Sequence, residues 1–237
     1  MDTHTRETAR QEPAAVDELR ADPQSRARFL KMVGGAGAAG ALSILIAACG
    51  GDDDDGSSTP NSSTTSDAGS MGRSAAKGDI EIVNYALTLE YLEADFYARV
   101  IASGEVTDRK IAELAKSIGE NEEEHVEALK ATVEQLGGTP APKPKTKFDE
   151  VIAGGPQMIL ETAAAVENLG AAAYLGQAGR IKDKEILAAA LAIHTVEGRH
   201  AAALNTLVGQ SIVPDGAFAK PASMDEVLKS VKPFIAA

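Results

Sequence analysis

Two short motifs pair an acid with an imidazole at a spacing that suits metal binding. Glu122 is followed three residues later by His125, and Glu197 is followed three residues later by His200. Residues three apart lie on the same face of an α-helix, so both side chains of a motif can contact one ion while the glutamate bridges toward a second. Carboxylate oxygens combined with imidazole nitrogens suit iron or manganese and leave coordination positions open for oxygen or peroxide.

Each motif belongs to a longer pattern that occurs twice in the chain. Glu90 and Tyr97 precede the first motif, and Glu167 and Tyr174 precede the second with the same spacing. The two lone glutamates are 77 residues apart, and the two motif glutamates are 75 residues apart. This agreement indicates a duplicated helical hairpin. The two motifs would supply part of the ligand set, and the two lone acids would supply the rest.

The repeat predicts one site for two metal ions. We expect its ligands, which are also the candidate catalytic residues, to be Glu90, Glu122, His125, Glu167, Glu197 and His200. Four carboxylates buried without a cation would each cost several kcal/mol, so inward acids on four helices make physical sense when metal is bound. Tyr97 and Tyr174 lie seven residues after the lone acids, where they either fill the core or hydrogen-bond the site.

The bland alternative is that these residues lie on solvated helix faces. A single Glu-x-x-His is a weak sign of metal, and Glu122 begins a run of three glutamates that alone would suit a solvated face. The joint pattern favours metal, because three histidines follow residue 48 and two of them have glutamate three residues earlier in an apolar stripe. The third, His194, is expected to be partly exposed, the alternative being a role beside the site.

Several other acids lie near the motifs and are expected on the surface, where unpaired acids usually lie. They are Glu93, Glu123, Glu124, Glu127 and Glu161. Glu93 would become a substitute ligand if the first helix were rotated.

Four helices must position the predicted donors. Apolar residues recur every three or four positions across 79–103, 107–136, 156–179 and 183–208, which is the period of helices packed in a bundle. Short links make each consecutive pair an antiparallel hairpin, while 137–155 is long enough to cross the bundle. With an aromatic content of only 4%, the sequence predicts an all-α four-helix bundle with one long crossover.

The bundle domain is predicted to span residues 78–210 and to be followed by a tail, residues 211–237. Within the tail, Ser223 and Glu226 have the spacing of a capping box. They predict a short C-terminal helix that packs outside the bundle.

The residues before the bundle are interpreted as an export signal and a tether. Residues 1–48 end in an uncharged, Gly- and Ala-rich run with a positive flank, as signal peptides do, and 25–31 resembles a twin-arginine signal except at Ala27. The sequence before Cys49 resembles the lipobox of bacterial lipoproteins, so we expect its lipidation rather than an uncleaved membrane anchor. Residues 49–77 are polar and predict a disordered linker. We therefore expect a lipid-anchored protein at the outer face of the bacterial cell membrane.

Charge and cysteine content exclude some functions. The formal net charge of −12 would repel phosphate backbones, so nucleic acid is not expected as a partner. The single cysteine excludes an intrachain disulfide and a rubredoxin or zinc-ribbon site.

Residues 79–208 resemble the ferritin-like superfamily, which includes ferritins, bacterioferritins, rubrerythrins and manganese catalases. The segments ALTLEYLEADFY at 86–97 and ENLGAAAY at 167–174 are similar to its exported, desiccation-related branch. The resemblance implies terminal carboxylates at Glu90 and Glu167, bridging carboxylates at Glu122 and Glu197, and terminal imidazoles at His125 and His200.

The function implied by this resemblance is a di-iron oxidase or peroxide scavenger at the cell surface, with two Fe as cofactor and Mn as the alternative metal. Its partners would be metal ions, oxygen or peroxide and, through the lipid at Cys49, the membrane. A different class of function is a non-catalytic metal-binding lipoprotein with a stress-protective or scaffolding role. The ligands are the same in both cases, and the sequence leaves the oligomeric state open.

Overall fold

The computed structural model describes the backbone of residues 67–236 and the side chains of residues 77–236. The predicted signal segment 1–48, Cys49 and residues 50–66 of the predicted linker lie outside the described residues. The export signal and the lipid anchor therefore stay predictions.

Helices account for all the regular structure between residues 67 and 236, apart from one isolated antiparallel bridge between Thr146 and Ile235. The helices are α1 Asp67–Ser103, α2 Arg109–Gln135, α3 Asp149–Ala153, α4 Gly155–Ala178, α5 Lys184–Leu207 and α6 Met224–Val231, followed by a 3-10 turn at Lys232–Phe234. The predicted all-α bundle with a short C-terminal helix is confirmed. Within this described part, no helix is long and apolar enough to span a membrane.

Two helix starts differ from the predicted ones, and one short helix was not predicted. Helix α1 begins at Asp67 rather than Asp79, so the last part of the predicted linker, 67–77, is helical. The segment contains no proline, and the apolar stripe that guided the prediction begins only after it. Helix α2 begins at Arg109 rather than at residue 107, because the Asp108 carboxylate caps it by accepting hydrogen bonds from the backbone N–H groups of the first turn. The short helix α3 lies within the crossover.

The bundle consists of two antiparallel hairpins, α1 with α2 and α4 with α5. Helix α2 ends at Gln135, and the chain turns away at Gly137, whose φ of 76° lies in the left-handed region that favours glycine. Helix α5 is capped by Asp183, whose carboxylate accepts hydrogen bonds from the N–H groups of Glu185 and Ile186 at 2.8 and 3.2 Å. The Asp79 carboxylate, almost fully buried, accepts two more backbone N–H groups from the α4–α5 turn and so fixes that turn against α1.

The long crossover is fastened to α1 by a polar network around Asp95. The Asp95 carboxylate accepts a hydrogen bond from the hydroxyl of Thr146 and contacts Arg99 Nε at 2.7 Å and Lys143 Nζ at 3.0 Å. Partial burial opposes ionisation, but these partners outweigh it and lower the pKa of Asp95 to about 2. The carboxylate is therefore charged at any physiological pH and holds the crossover along the bundle.

Apolar clusters fill both ends of the bundle and leave its middle to polar residues. On α1, Leu87 belongs to one cluster and Phe96 to the other, and on α2 the corresponding residues are Leu129 and Ile118. The predicted metal ligands of both helices fall between these positions in the sequence. Water is thereby excluded from the middle of the bundle from both ends.

Helix α6 packs across the outside of α1 and α4. Its Val227 and Val231 are buried in an apolar cluster that includes Leu89, Leu92 and Ala173. The predicted capping box between Ser223 and Glu226 is present in both directions. Backbone hydrogen bonds then connect the end of the chain to the crossover, from the N–H of residue 147 to the carbonyl of 234 and from the N–H of 236 to the carbonyl of 145.

Candidate metal centre

The six predicted ligands come together in the middle of the bundle. The four glutamates are fully buried at 0% exposure, and His125 and His200 are 9% and 8% exposed. Ionisable groups are almost never buried to this extent without partners. The arrangement is therefore a specific site rather than a solvated helix face.

The first group of donors surrounds His125. The His125 Nδ1 atom lies 3.2 Å from Glu90 Oε2, 3.0 Å from Glu122 Oε2 and 3.2 Å from Glu197 Oε1. One donor atom from each of these four residues lies within 4.8 Å of the others, close enough for a single ion to contact all four. Three helices contribute to this group.

The second group surrounds His200. The His200 Nδ1 atom lies 2.9 Å from Glu122 Oε1 and 3.2 Å from Glu167 Oε2. With Glu197 these residues again offer four donor atoms within 4.8 Å of one another. Glu122 and Glu197 belong to both groups, so two ions placed in the two groups would share two carboxylates.

The two tyrosines hydrogen-bond the site, which decides between the two roles predicted for them. Tyr97 donates to Glu167 Oε1 at 2.6 Å, and Tyr174 donates to Glu90 Oε1 at 2.5 Å. Each tyrosine follows one lone glutamate in the sequence but bonds the other one. The bonds therefore cross between the two hairpins and leave the second oxygen of each lone glutamate facing a histidine.

Asn121 contacts the site without having been predicted. His200 Nε2 lies 3.2 Å from Asn121 Oδ1, where its N–H can donate to the amide oxygen. This bond leaves Nδ1 as the metal-binding nitrogen and orients the ring. The repeat offset of 75 residues pairs Asn121 with Val196, which has no amide, so only one half of the site has this contact.

Glu93 is buried beside the site, so its predicted surface position is wrong. Its exposure is 5%, and its Oε2 atom accepts no hydrogen bond from the described residues. The repeat offset of 77 residues pairs Glu93 with Gly170. A Cβ atom on Gly170 would lie 2.9 Å from Glu93 Oε1 and 3.1 Å from Glu197 Oε2. Glycine at 170 thus provides the space for a fifth buried carboxylate.

The remaining acids and the third histidine lie away from the donors. Exposed positions are occupied by Glu123, Glu124, Glu127 and Glu161, as predicted. His194 is half-buried, and its Nδ1 lies 3.0 Å from the carbonyl of Ala171 on α4. It belongs to neither donor group.

A family model for the ferritin-like domain matches residues 78–210, more than half of the chain. The chain belongs to the ferritin-like domain family. The match contains all six predicted ligands. No curated protein matches the chain significantly. Among solved structures, a hypothetical protein from Methanococcus jannaschii is 16% identical, with 74% of this chain and 98% of that chain covered and a TM-score of 0.45.

The pKa shifts of the buried residues show that the ferritin-like site requires positive charge. Burial and then the charges of Glu197 and other site carboxylates hold the pKa of Glu93 well above its usual range. Burial and then the charge of Glu90 do the same for the pKa of Glu197. For His125, burial opposes protonation, but Glu90 and the other carboxylates outweigh it and raise the pKa. In the metal-free protein, protons therefore partly supply the positive charge that the carboxylates require.

Two divalent cations fit the donor set. Glu197 Oε2 is buried and accepts no hydrogen bond from the described residues. Glu197 Oε1 and Glu122 Oε1 are contacted by the Nδ1 atoms of His125 and His200, at 3.2 and 2.9 Å, but not in hydrogen-bond geometry. Buried acceptors without good hydrogen bonds cost free energy, and a cation would satisfy them. Four ligand carboxylates also balance the charge of two divalent ions. Glu90, Glu122, His125 and Glu197 would hold one ion, and Glu122, Glu167, Glu197 and His200 the other.

The pKa shifts predict an unusual pH dependence for the metal-free protein. Burial raises the pKa of Glu122 to about 7. Burial opposes protonation of His200, but its contacts with Glu122 and Glu167 outweigh burial and raise its pKa to about 9. Both groups bind protons more tightly when folded, so their stabilising effect is full at low pH and is lost as pH rises through these values. We expect the melting temperature of chelator-treated protein to fall by about 5 °C from pH 6 to pH 9, roughly 2 kcal/mol for a domain of this size.

Differential scanning calorimetry at several pH values measures this fall. Metal-saturated protein is the control and should show no such fall, because deprotonated ligands bind metal better. A metal-free protein that becomes more stable between pH 6 and pH 9 would contradict the proton-filled site.

Proposed function

We propose that the ferritin-like domain binds two iron ions and that Fe(II) is oxidised there by dioxygen or peroxide. The observation that carries the proposal is the sharing of Glu122 and Glu197 between two four-donor groups. Shared carboxylates would hold two ions side by side, which suits a reaction that removes two electrons at once. Nitrogen and oxygen donors that leave coordination positions open favour iron, with manganese as the alternative.

The overall reaction balances with two iron ions. Two Fe(II) and one dioxygen, with two protons, give two Fe(III) and one hydrogen peroxide. Two Fe(II) and one hydrogen peroxide, with two protons, give two Fe(III) and two waters. A pair of bound Fe(II) ions supplies the two electrons in either case.

The residues of the chain orient the donors and keep water out. Tyr97 and Tyr174 each hold one lone carboxylate by a short hydrogen bond, so that its other oxygen points into the site. Asn121 orients His200 in the same way. The two apolar clusters shield the site from both ends of the bundle, which reduces the reorganisation needed at the moment of reaction.

Oxygen consumption tests the proposal. Protein loaded anaerobically with two equivalents of Fe(II) should consume dioxygen, or peroxide added in its place, much faster than free Fe(II) in the same buffer. Glu122→Gln should reduce the rate at least about 100-fold, since it removes a donor of both groups. Glu123→Gln is the matched control, because this neighbour is exposed, and it should react like the wild type.

Binding of Fe(II) without consumption of either oxidant would refute the enzymatic proposal. It would favour instead a non-catalytic metal-binding protein with a stress-protective or scaffolding role.

We further propose that the protein works outside the cytoplasm, anchored to the bacterial cell membrane by a lipid on Cys49. The apolar run that ends before Cys49 and the polar residues that follow it support this location. Mass spectrometry of the natively purified protein tests it. We expect Cys49 as the first residue with a lipid attached, and an unmodified Cys49 that follows an intact apolar run would contradict the lipid anchor.

A further inference from the structure

A small apolar cavity lies beneath α6, next to the metal centre. Its volume is about 20 Å³. Side chains from α1, α4 and α6 form most of its wall, among them Leu92, Phe96, Leu169, Val227 and Val231. These five are apolar, and all but Leu169 are buried. The cavity is therefore lined mostly by buried apolar side chains and lies under the C-terminal helix.

Glu93 and Gly170 form the side of the cavity that faces the metal centre. In the part of the chain that the structure describes, Glu93 is the only ionisable side chain that lines the cavity, and its Oε2 atom has no hydrogen-bond partner there. The space over Gly170 is shared by Glu93 Oε1 and Glu197 Oε2, since a Cβ atom would lie 2.9 and 3.1 Å from them. The cavity thus ends against a carboxylate that itself borders a shared metal ligand.

The size and lining of the cavity restrict its occupant. A volume of about 20 Å³ accommodates one molecule about as large as water. A buried water molecule usually makes about three hydrogen bonds and needs two to four polar partners. The wall of this cavity offers one carboxylate. Peroxide has the same need. A small apolar molecule such as dioxygen loses nothing by leaving water for this wall.

A second apolar cavity, of about 30 Å³, lies toward the other end of the bundle. Of the predicted site residues it contacts only Tyr174, whose hydroxyl is already bonded to Glu90. This second cavity touches none of the site carboxylates. Filling it is therefore a control for filling the first cavity.

We propose that the cavity beneath α6 binds dioxygen and delivers it past Glu93 to the metal centre. This inference rests on the proposed function and selects dioxygen over peroxide as the oxidant that uses this route. The redox step is the one balanced above: dioxygen takes one electron from each of two Fe(II) ions and two protons, and leaves as hydrogen peroxide.

The first test needs no metal and no activity. Dissolved dioxygen is paramagnetic and speeds the relaxation of the methyl groups it contacts, so methyl NMR of the metal-free full chain under dioxygen pressure reports where it resides. We expect an enhancement several times larger at Val227 and Val231 than at Val133, a fully buried valine that does not line this cavity. Equal enhancement at the three valines would overturn the proposal.

The second test fills the cavity from two sides. Leu169→Phe and, from α6, Val227→Phe should each slow dioxygen consumption about tenfold, roughly 1.4 kcal/mol in the barrier, while two Fe(II) still bind and reaction with peroxide is unchanged. Ala190→Leu fills the second cavity and should match the wild type.

The two tests separate this inference from the proposed function. A wild type that consumes neither dioxygen nor peroxide refutes the proposed function, while the methyl measurement still decides whether dioxygen enters the cavity. A wild type that consumes peroxide but no dioxygen leaves the proposed function standing and overturns the dioxygen route. Dioxygen consumption at the wild-type rate in both filled variants, with two Fe(II) bound, would overturn the route.

Discussion

Replacing Glu197 with glutamine is expected to stabilise the metal-free protein and to destroy its response to metal. Glu197 is fully buried, and neither of its oxygens accepts a hydrogen bond with good geometry from the described residues. Burial and the charge of Glu90 raise its pKa, so ionising it in the folded state costs free energy. Removing that group should raise the unfolding free energy at pH 7 by about 2 kcal/mol, as replacements of buried charges often do.

Urea unfolding of chelator-treated protein measures this gain. The same variant should lose most of the stabilisation that Fe(II) or Mn(II) gives the wild type, because Glu197 belongs to both donor groups. Glu124→Gln is the control, since its side chain is exposed and its replacement should change neither quantity. A Glu197→Gln variant that is less stable without metal would show that the carboxylate serves the fold rather than the ions.

His200→Ala should reduce the number of tightly bound metal ions from two to one. His200 belongs only to the second donor group, and the four donors of the first group do not include it. The remaining ion can supply one electron, so Fe(II) oxidation should slow at least about 100-fold, which is roughly 2.7 kcal/mol in the barrier.

His194→Ala is the matched control on the same helix. His194 contacts the carbonyl of Ala171 and lies outside both groups, so this variant should bind two ions and react at the wild-type rate. If replacing His200 removed both ions, this would contradict the assignment of each histidine to one ion only. Equal effects of the two replacements would contradict the assignment of His200 as a ligand.

The helices and the convergence of the donors followed from the sequence because two independent regularities agreed. The apolar period placed Glu122 and His125 on the inner face of a helix, and the repeat offsets placed a second set in the same register. Burial of both sets in the bundle is what such a register requires. Their role as ligands rests on donor geometry and stays a proposal.

Residues outside the repeat were missed for identifiable reasons. Glu93 lies three residues after Glu90, on the same helix face, but a surface position was expected because its burial depends on the missing side chain of Gly170 on another helix. The offset of 77 residues pairs the two positions, so comparing the repeat halves residue by residue would have found it. Asn121 was missed because its contact with His200 joins helices α2 and α5, a tertiary distance that no spacing in the sequence reveals.

The ends of the helices show a second limit of sequence patterns. Ile101 and Leu207 continue the apolar stripes of α1 and α5, yet they are 48% and 42% exposed. Both lie in the last turn of their helices. Periodicity shows which face of a helix is apolar, whereas the extent of its burial depends on where the neighbouring helices end.

The departures from the repeat make the two metal positions unequal. Asn121 orients His200, and the equivalent position before His125's partner motif carries no amide. Glu93 is a buried acid in one half of the repeat, whereas the equivalent position in the other half is Gly170. The two ions would therefore bind with different affinities even though their direct ligands correspond.

An anaerobic titration of the metal-free protein with Fe(II), read by calorimetry, tests the presence of a paired site most directly. We expect saturation at two tightly bound ions per chain, in two resolvable steps. Saturation at a single ion, or weak binding of many ions as on an acidic surface, would show that the carboxylates shared between the two groups do not hold a pair.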